Sequence, residues 1–276
     1  MALTNILVLA RKELRETIRN RWFILQSLAF AALALALSAL TLSGLGGVQL
    51  GGFGRTAASL INAVMLFIPL IGLSAGAAAL AGERERGTLA YLLAQPVTRA
   101  EVLCGKVLGG ALALAASLAL GFGLAGGALA FAGGEASTGA YLRLAGFALL
   151  LGLGMFSLGL LISALNRKAA AATGVALFVW LALVFLGDLG VMGTSLALGL
   201  DVRETALLAL LNPLQVFKLA AVLGLEATLE VLGPSGLYLV RTFGPGLAWA
   251  LAALLAAWTV LPLSAAFGLF TRRSDL

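Results

Sequence analysis

Glu83, Arg84, Glu85 and Arg86 are four consecutive charges between two long apolar stretches, and Arg99 and Lys106 follow before the next apolar run. Side chains of this kind suit ionic recognition, in which charge placement sets register and partner choice more than affinity. At the centre of a bilayer each would cost roughly 3 kcal/mol on an insertion scale. The segment from Gly82 to Lys106 therefore lies outside the hydrocarbon and reads as a cytoplasmic docking handle.

Other chemistry is poorly supplied. The chain has no histidine, which removes Ser-His and Cys-His nucleophile pairs and the HExxH zinc site. Gly105-Lys106 is followed by Val107, and residue 100 is alanine, so the GxxxxGK[ST] phosphate-binding loop is not met. None of the 12 Asp and Glu falls in the middle of an apolar run, which leaves an ion-coupled carrier only backbone or hydroxyl ligands. Cys104 is the single cysteine and cannot form an internal disulfide. With one Cys and four Met, of which Met65, Met155 and Met192 fall in or near different spans, there is no soft-ligand cluster to carry Cu(I). No catalytic, cofactor-binding or metal-binding residue is expected in the chain itself.

The elements that must hold the handle are membrane spans. Hydrophobic residues make up 61% of the chain and charged residues 11%, with a mean hydropathy of +1.07; soluble domains carry about 25% charged residues. Runs of about 20 apolar residues are needed to cross the hydrocarbon, and six are read at 22–43, 57–81, 107–131, 144–165, 169–187 and 246–270. The expected fold is an all-α polytopic membrane protein, one permease-sized domain over residues 1–276. Lys and Arg number five in residues 1–21, four in the loop after span 2, two at Arg167 and Lys168, and two at Arg272 and Arg273. The opposite side holds Arg55, Arg143, Arg203, Lys218 and Arg241. The excess marks the cytoplasmic side, so both termini are expected there. The net charge of +6 is thus a topology signal and points to membrane lipids, with no nucleic acid implied.

Residues 4–21 suit an amphipathic helix in the headgroup plane, an elbow before span 1. Leu7, Leu14 and Ile18 share one face, Arg11, Arg15 and Arg19 recur every fourth residue, and Trp22 marks the interface. In span 2, Pro69 removes a backbone hydrogen bond and predicts a kink or a re-bonded turn, with Asn62 and Pro69 as candidate gating positions. Span 3 carries small residues at Gly105, Gly109, Ala113, Ser117, Gly121 and Ala125. This stripe suits either packing within the chain or a seam to a second copy. In the outer segment, 188–245, Asp201 and Glu204 predict a capping box, and Asn212-Pro213 an N-cap with first-turn proline. The helix after Pro213 is expected to be interfacial or partly re-entrant.

The Gly82–Lys106 insert resembles the first cytoplasmic loop of permease subunits of the type 2 ABC exporter family. There an acid-rich segment, a Gly-Thr pair, a short amphipathic helix, a proline and a basic turn precede a Gly-Lys pair. Here these are Glu83 and Glu85, Gly87 and Thr88, Leu89 to Ala94, Pro96, Arg99, and Gly105 with Lys106. The resemblance extends along the chain and is strongest to permeases of systems that assemble the copper centres of nitrous oxide reductase. It implies a coupling helix between spans 2 and 3, a permease dimer, and a bacterial inner-membrane location. It further implies two copies of a cytoplasmic ATPase holding ATP and Mg, and a periplasmic maturation partner. On this reading Leu89, Leu92 and Leu93 present one apolar side to an ATPase groove. Two other readings stand beside it: a secondary carrier or channel working without ATP, and a non-transporting relay to an outer partner.

Overall fold

In hydrocarbon every backbone N–H and C=O must be satisfied within the protein, and a helix does this inside one segment. The computed structural model, which describes residues 2–42, 52–131, 138–224 and 233–272, consists accordingly of helices and turns, with no strand among the described residues. Helix α1 (Ala2–Arg19) is followed directly by α2 (Arg21–Leu42). The break between them falls at Asn20, whose side chain accepts the Trp22 N–H at 2.9 Å and so caps the second helix. Leu9, Ala10 and Glu13 are the buried side of α1, whereas Leu7 and Ile18 are exposed. Of the expected Leu7, Leu14 and Ile18 stripe, Leu14 is half-buried against the core, while Leu7 and Ile18 stay exposed.

The bundle is organised on α3 (Gly52–Glu85) and α6 (Thr138–Leu165), its most extensively packed helix pair. Glycines allow their close approach: a Cβ on Gly76 would stand 2.2 Å from Phe156 O, and one on Gly159 would stand 2.4 Å from Leu73 O. Helix α5 (Arg99–Phe131) packs on α1 and α2, and α12 (Leu247–Arg272) packs on α6. The stripe on α5 is used within the chain. Gly109 faces Ala10 O, Ser117 donates to Ser27 Oγ at 2.8 Å, and Gly121 faces the Phe30 ring.

Among the described residues, five helical stretches are long and apolar enough to cross a membrane, or six if one bent pair counts as a span. The expected span at 169–187 is α7 (Ala169–Phe185), whose 17 residues reach ~25 Å at 1.5 Å per residue, the short limit for a crossing. A π-helical turn, Leu186–Gly190, joins it to α8 (Val191–Leu198). The bent pair is α9 (Val202–Leu210) with α10 (Pro213–Gly224), which turn by 106°. Both expected caps are present: the Asp201–Glu204 box, and Asn212 Oδ1 accepting the Leu214 N–H at 2.9 Å.

Most of α10 is buried against α6, α12 and α3, and with α9 it forms either a broken span or a re-entrant segment. Asn212 Nδ2 donates to Leu183 O at 2.7 Å, and Arg143, near the start of α6, donates to Gly224 O at 2.9 Å. Helix α10 thus runs back toward the end of the bundle where α6 begins. Helix α11 (Gly233–Phe243) packs beside α9 and leads into α12.

Candidate functional site at the charged end of the bundle

Glu83 lies in the last turn of α3 with its side chain only 3% exposed, yet each of its oxygens stands beside a lysine ammonium. Lys12 Nζ of α1 stands 2.7 Å from Glu83 Oε1, and Lys106 Nζ of α5 stands 3.0 Å from Glu83 Oε2. Lys106, 4% exposed, also reaches Glu13 Oε2 of α1 at 2.7 Å. Three helices therefore meet at one ionic knot. Taking these charges from water is costly, so the arrangement persists because each ammonium bridges two carboxylates. Burial pushes the Glu13 carboxyl upward despite Lys106 beside it. The Lys12 ammonium is held above its ordinary value because Glu83 outweighs partial burial. The Glu13, Glu16 and Glu83 oxygens converge within 4.8 Å, but the two ammonium groups occupy the place a metal ion would take.

The next two charges serve different helices. Arg84 Nη1 donates to Asn166 O at 2.6 Å and caps the C-terminal end of α6. Glu85 Oε2 accepts the Ala169 N–H at 2.8 Å and caps α7, whose own N-cap residue, Lys168, supplies no side-chain bond. Opposite charge at each helix end also suits the helix dipoles. Arg86 is exposed. Further along the chain, Arg99 donates to Phe270 O at 3.1 Å and lies over the Phe270 ring, fastening α5 to α12. Thr98 and Glu101 form a reciprocal capping box that opens α5.

From this tied base rises the short helix α4 (Thr88–Leu93). Gly87 takes a left-handed conformation, φ 72°, that a side chain would strain. The Thr88 hydroxyl donates back to Glu83 O at 3.2 Å. Leu89 is fully buried among Leu80, Leu103, Leu160 and Phe270, and Leu92 and Leu93 lean on the same cluster. This corrects the expected exposure of Leu89, which is fully buried, while Leu92 and Leu93 are half-buried, because six residues of helix are held only by what they bury. The outward face carries Tyr91, 75% exposed, with Gly87, Thr88 and Pro96 exposed nearby.

The remaining candidate residues are placed as follows. Arg11, Arg15, Arg19 and Trp22 are exposed on α1 and at the start of α2. Asn62 is exposed and Pro69 buried within an unbroken α3. Trp180 of α7 donates to Leu66 O at 3.1 Å, one residue after Met65, whose carbonyl loses its helical donor to Pro69, so a neighbouring helix contacts α3 at the proline turn. Glu83 and Lys106 are internal and unavailable as surface contacts.

All these ties gather the end of α3, the starts of α5 and α7, and the ends of α6 and α12 at one pole with α1. The molecule is a multi-pass helical membrane protein with its basic segments drawn to that pole. Its sequence matches the ABC-2 family transporter protein over residues 7–275, and the chain belongs to that family. It is similar to "Probable ABC transporter permease protein NosY" of Pseudomonas aeruginosa, with 35% identity over 271 residues, 96% of this chain and 97% of that one. The protein of the same name from Stutzerimonas stutzeri is 33% identical over 275 residues, again 96% of this chain and 97% of the relative. The chain is thus a transporter permease subunit. Its family implies an ATPase partner, and members are normally not enzymes themselves.

Proposed function

We propose that this chain is the membrane half of an ABC exporter-type complex, that the charged pole faces the cytoplasm, and that α4 docks a separate ATPase. The observation that carries this is Tyr91, 75% exposed on a short helix whose opposite face is locked by Leu89. Such a helix offers an aromatic anchor on a rigid mount, the combination that dominates binding at protein interfaces. Tyr91, Thr88, Gly87 and Pro96 form the contact, and Leu92 and Leu93 support it from beneath. Two ATPase copies would serve two copies of this chain, with ATP and Mg held by the ATPases.

Closure of the ATPases would push α4, and the push enters α3 through Gly87, α1 and α5 through Glu83, α6 through Arg84, and α7 through Glu85. The whole pole would then move as one lever, as in a rigid-body transition. The sequence resemblance and the two NosY relatives favour service in maturing a periplasmic copper enzyme of the nitrous oxide reductase type. Tyr91→Asp tests the docking. Loss of the ATPase on co-purification, with unchanged membrane levels and elution, is expected; retention of the ATPase would overturn it.

A further inference from the structure

Between α1, α2, α3 and α7 runs a groove of about 1820 Å³. Its two levels differ in chemistry. At the pole the lining carries Arg11, Arg15, Arg19 and Arg86. Unlike those of Lys12 and Lys106, the side chains of these four make no hydrogen bond or ion pair among the described residues. The acids lining the groove, Glu13, Glu16 and Glu83, already face Lys12 or Lys106 at 2.7 to 3.5 Å. The unbalanced charge of the groove is therefore positive and belongs to the arginines.

Deeper, the walls become small and apolar: Phe23 of α2, Ala75 and Ala78 of α3, and Leu177 of α7. Ser74, which donates to Gln26 at 3.0 Å, is 11 residues before Glu85 and so ~16 Å along the helix axis, well below the headgroup level. Trp22, at the rim, suits the boundary between headgroups and acyl chains. A charged mouth above an apolar slot, both opening along the side of the bundle, matches an amphiphile with an anionic head.

We propose that this groove holds one anionic phospholipid, its phosphate between Arg15, Arg19 and Arg86 and an acyl chain against Ala75 and Ala78. A scattered attraction of basic side chains to anionic membranes would involve the arginines alone. The seated lipid requires the apolar wall as well, and that difference provides the test.

The full chain is reconstituted with equal phosphatidylglycerol and phosphatidylcholine, re-extracted in mild detergent, and weighed by native mass spectrometry. Preferential retention of phosphatidylglycerol is expected, reduced about thirtyfold in Arg15→Gln/Arg19→Gln, the equivalent of the ~2 kcal/mol that two basic residues contribute near an anionic headgroup. Ala78→Phe, with every arginine present, should remove the retained lipid, and Thr173→Phe should do so from the opposite wall if Ala78→Phe does not fold. Equal retention of both lipids would overturn the proposal. So would retention unchanged by a folded wall variant, which leaves surface attraction only. Loss of dimer mass in place of lipid would assign the groove to a second copy and overturn it too.

Discussion

Glu85, the last residue of α3, accepts the backbone N–H of Ala169, the first residue of α7, at 2.8 Å. Two helices far apart in sequence are thereby joined end to end, and α7 begins under the control of the turn that carries α4. Removing a cap of this kind costs about 1 kcal/mol. Glu85→Ala should speed amide exchange across 169–173 while the protein remains in the membrane. Unaltered exchange there would show that the cap contributes nothing to α7.

Glu83 should be the least replaceable charge. It touches both Lys12 and Lys106, and breaking a buried ion pair from one side costs about 3–5 kcal/mol. Glu83→Gln should lower the thermal midpoint in detergent far more than Glu16→Gln, because Glu16 is half exposed and its ion pair with Lys12 is near the surface. Equal shifts for the two variants would contradict the knot.

The knot also predicts a pH dependence with a definite sign. A carboxyl whose folded value lies above 4.5 binds its proton more tightly when folded, so the stability linked to Glu13 declines as pH rises past 4.5. Lys12, raised above 10.5, contributes stability that is fully present below that pH and is lost as pH climbs through its folded value. Both trends fall toward alkali, whereas Glu83, whose carboxyl burial pushes up but Lys106 and Lys12 hold below 4.5, contributes stability that is lost only as pH falls below that value. Glu13→Gln should flatten the first decline, measured as thermal midpoint against pH from 4.5 to 8, and an unchanged slope would count against it.

Close packing of α1 on α5 gives a sharper steric prediction. A Cβ at Gly109 would meet Ala10 O at 2.5 Å, whereas one at Gly123 meets nothing within 4 Å. Gly109→Leu should expose α1 to protease and destabilise by about 1–3 kcal/mol or more, while Gly123→Ala should be nearly silent. Protection of α1 in Gly109→Leu would refute the observed packing.

Much of this was legible in residue patterns. Apolar run length located five helices long enough to cross a membrane but also read 169–187, which is shorter, as a span. Asp201–Glu204 and Asn212-Pro213 announced the caps of α9 and α10 because such signals act within three residues. The intimate role of the four charges was not, since Glu83, Arg84 and Glu85 find partners 71 to 84 residues away. Periodicity marked α4 as amphipathic but could not say which side was buried; only the pocket formed by α3, α5, α6 and α12 turns Leu89 inward and Tyr91 outward. Thr98-x-x-Glu101 was a readable capping box that marks the true start of α5 at Arg99, ahead of the apolar run at 107. The fate of the span 3 stripe likewise required the structure, because small residues serve an internal helix and a second copy equally well.

The central claim is that this permease works by holding an ATPase. Extraction of the tagged chain from its native membrane in mild detergent, followed by mass spectrometry of everything that accompanies it, addresses that claim most directly. A phosphate-loop ATPase in equal copies with this chain is the predicted result. A chain recovered repeatedly without any ATPase, intact and dimeric or single, would contradict it.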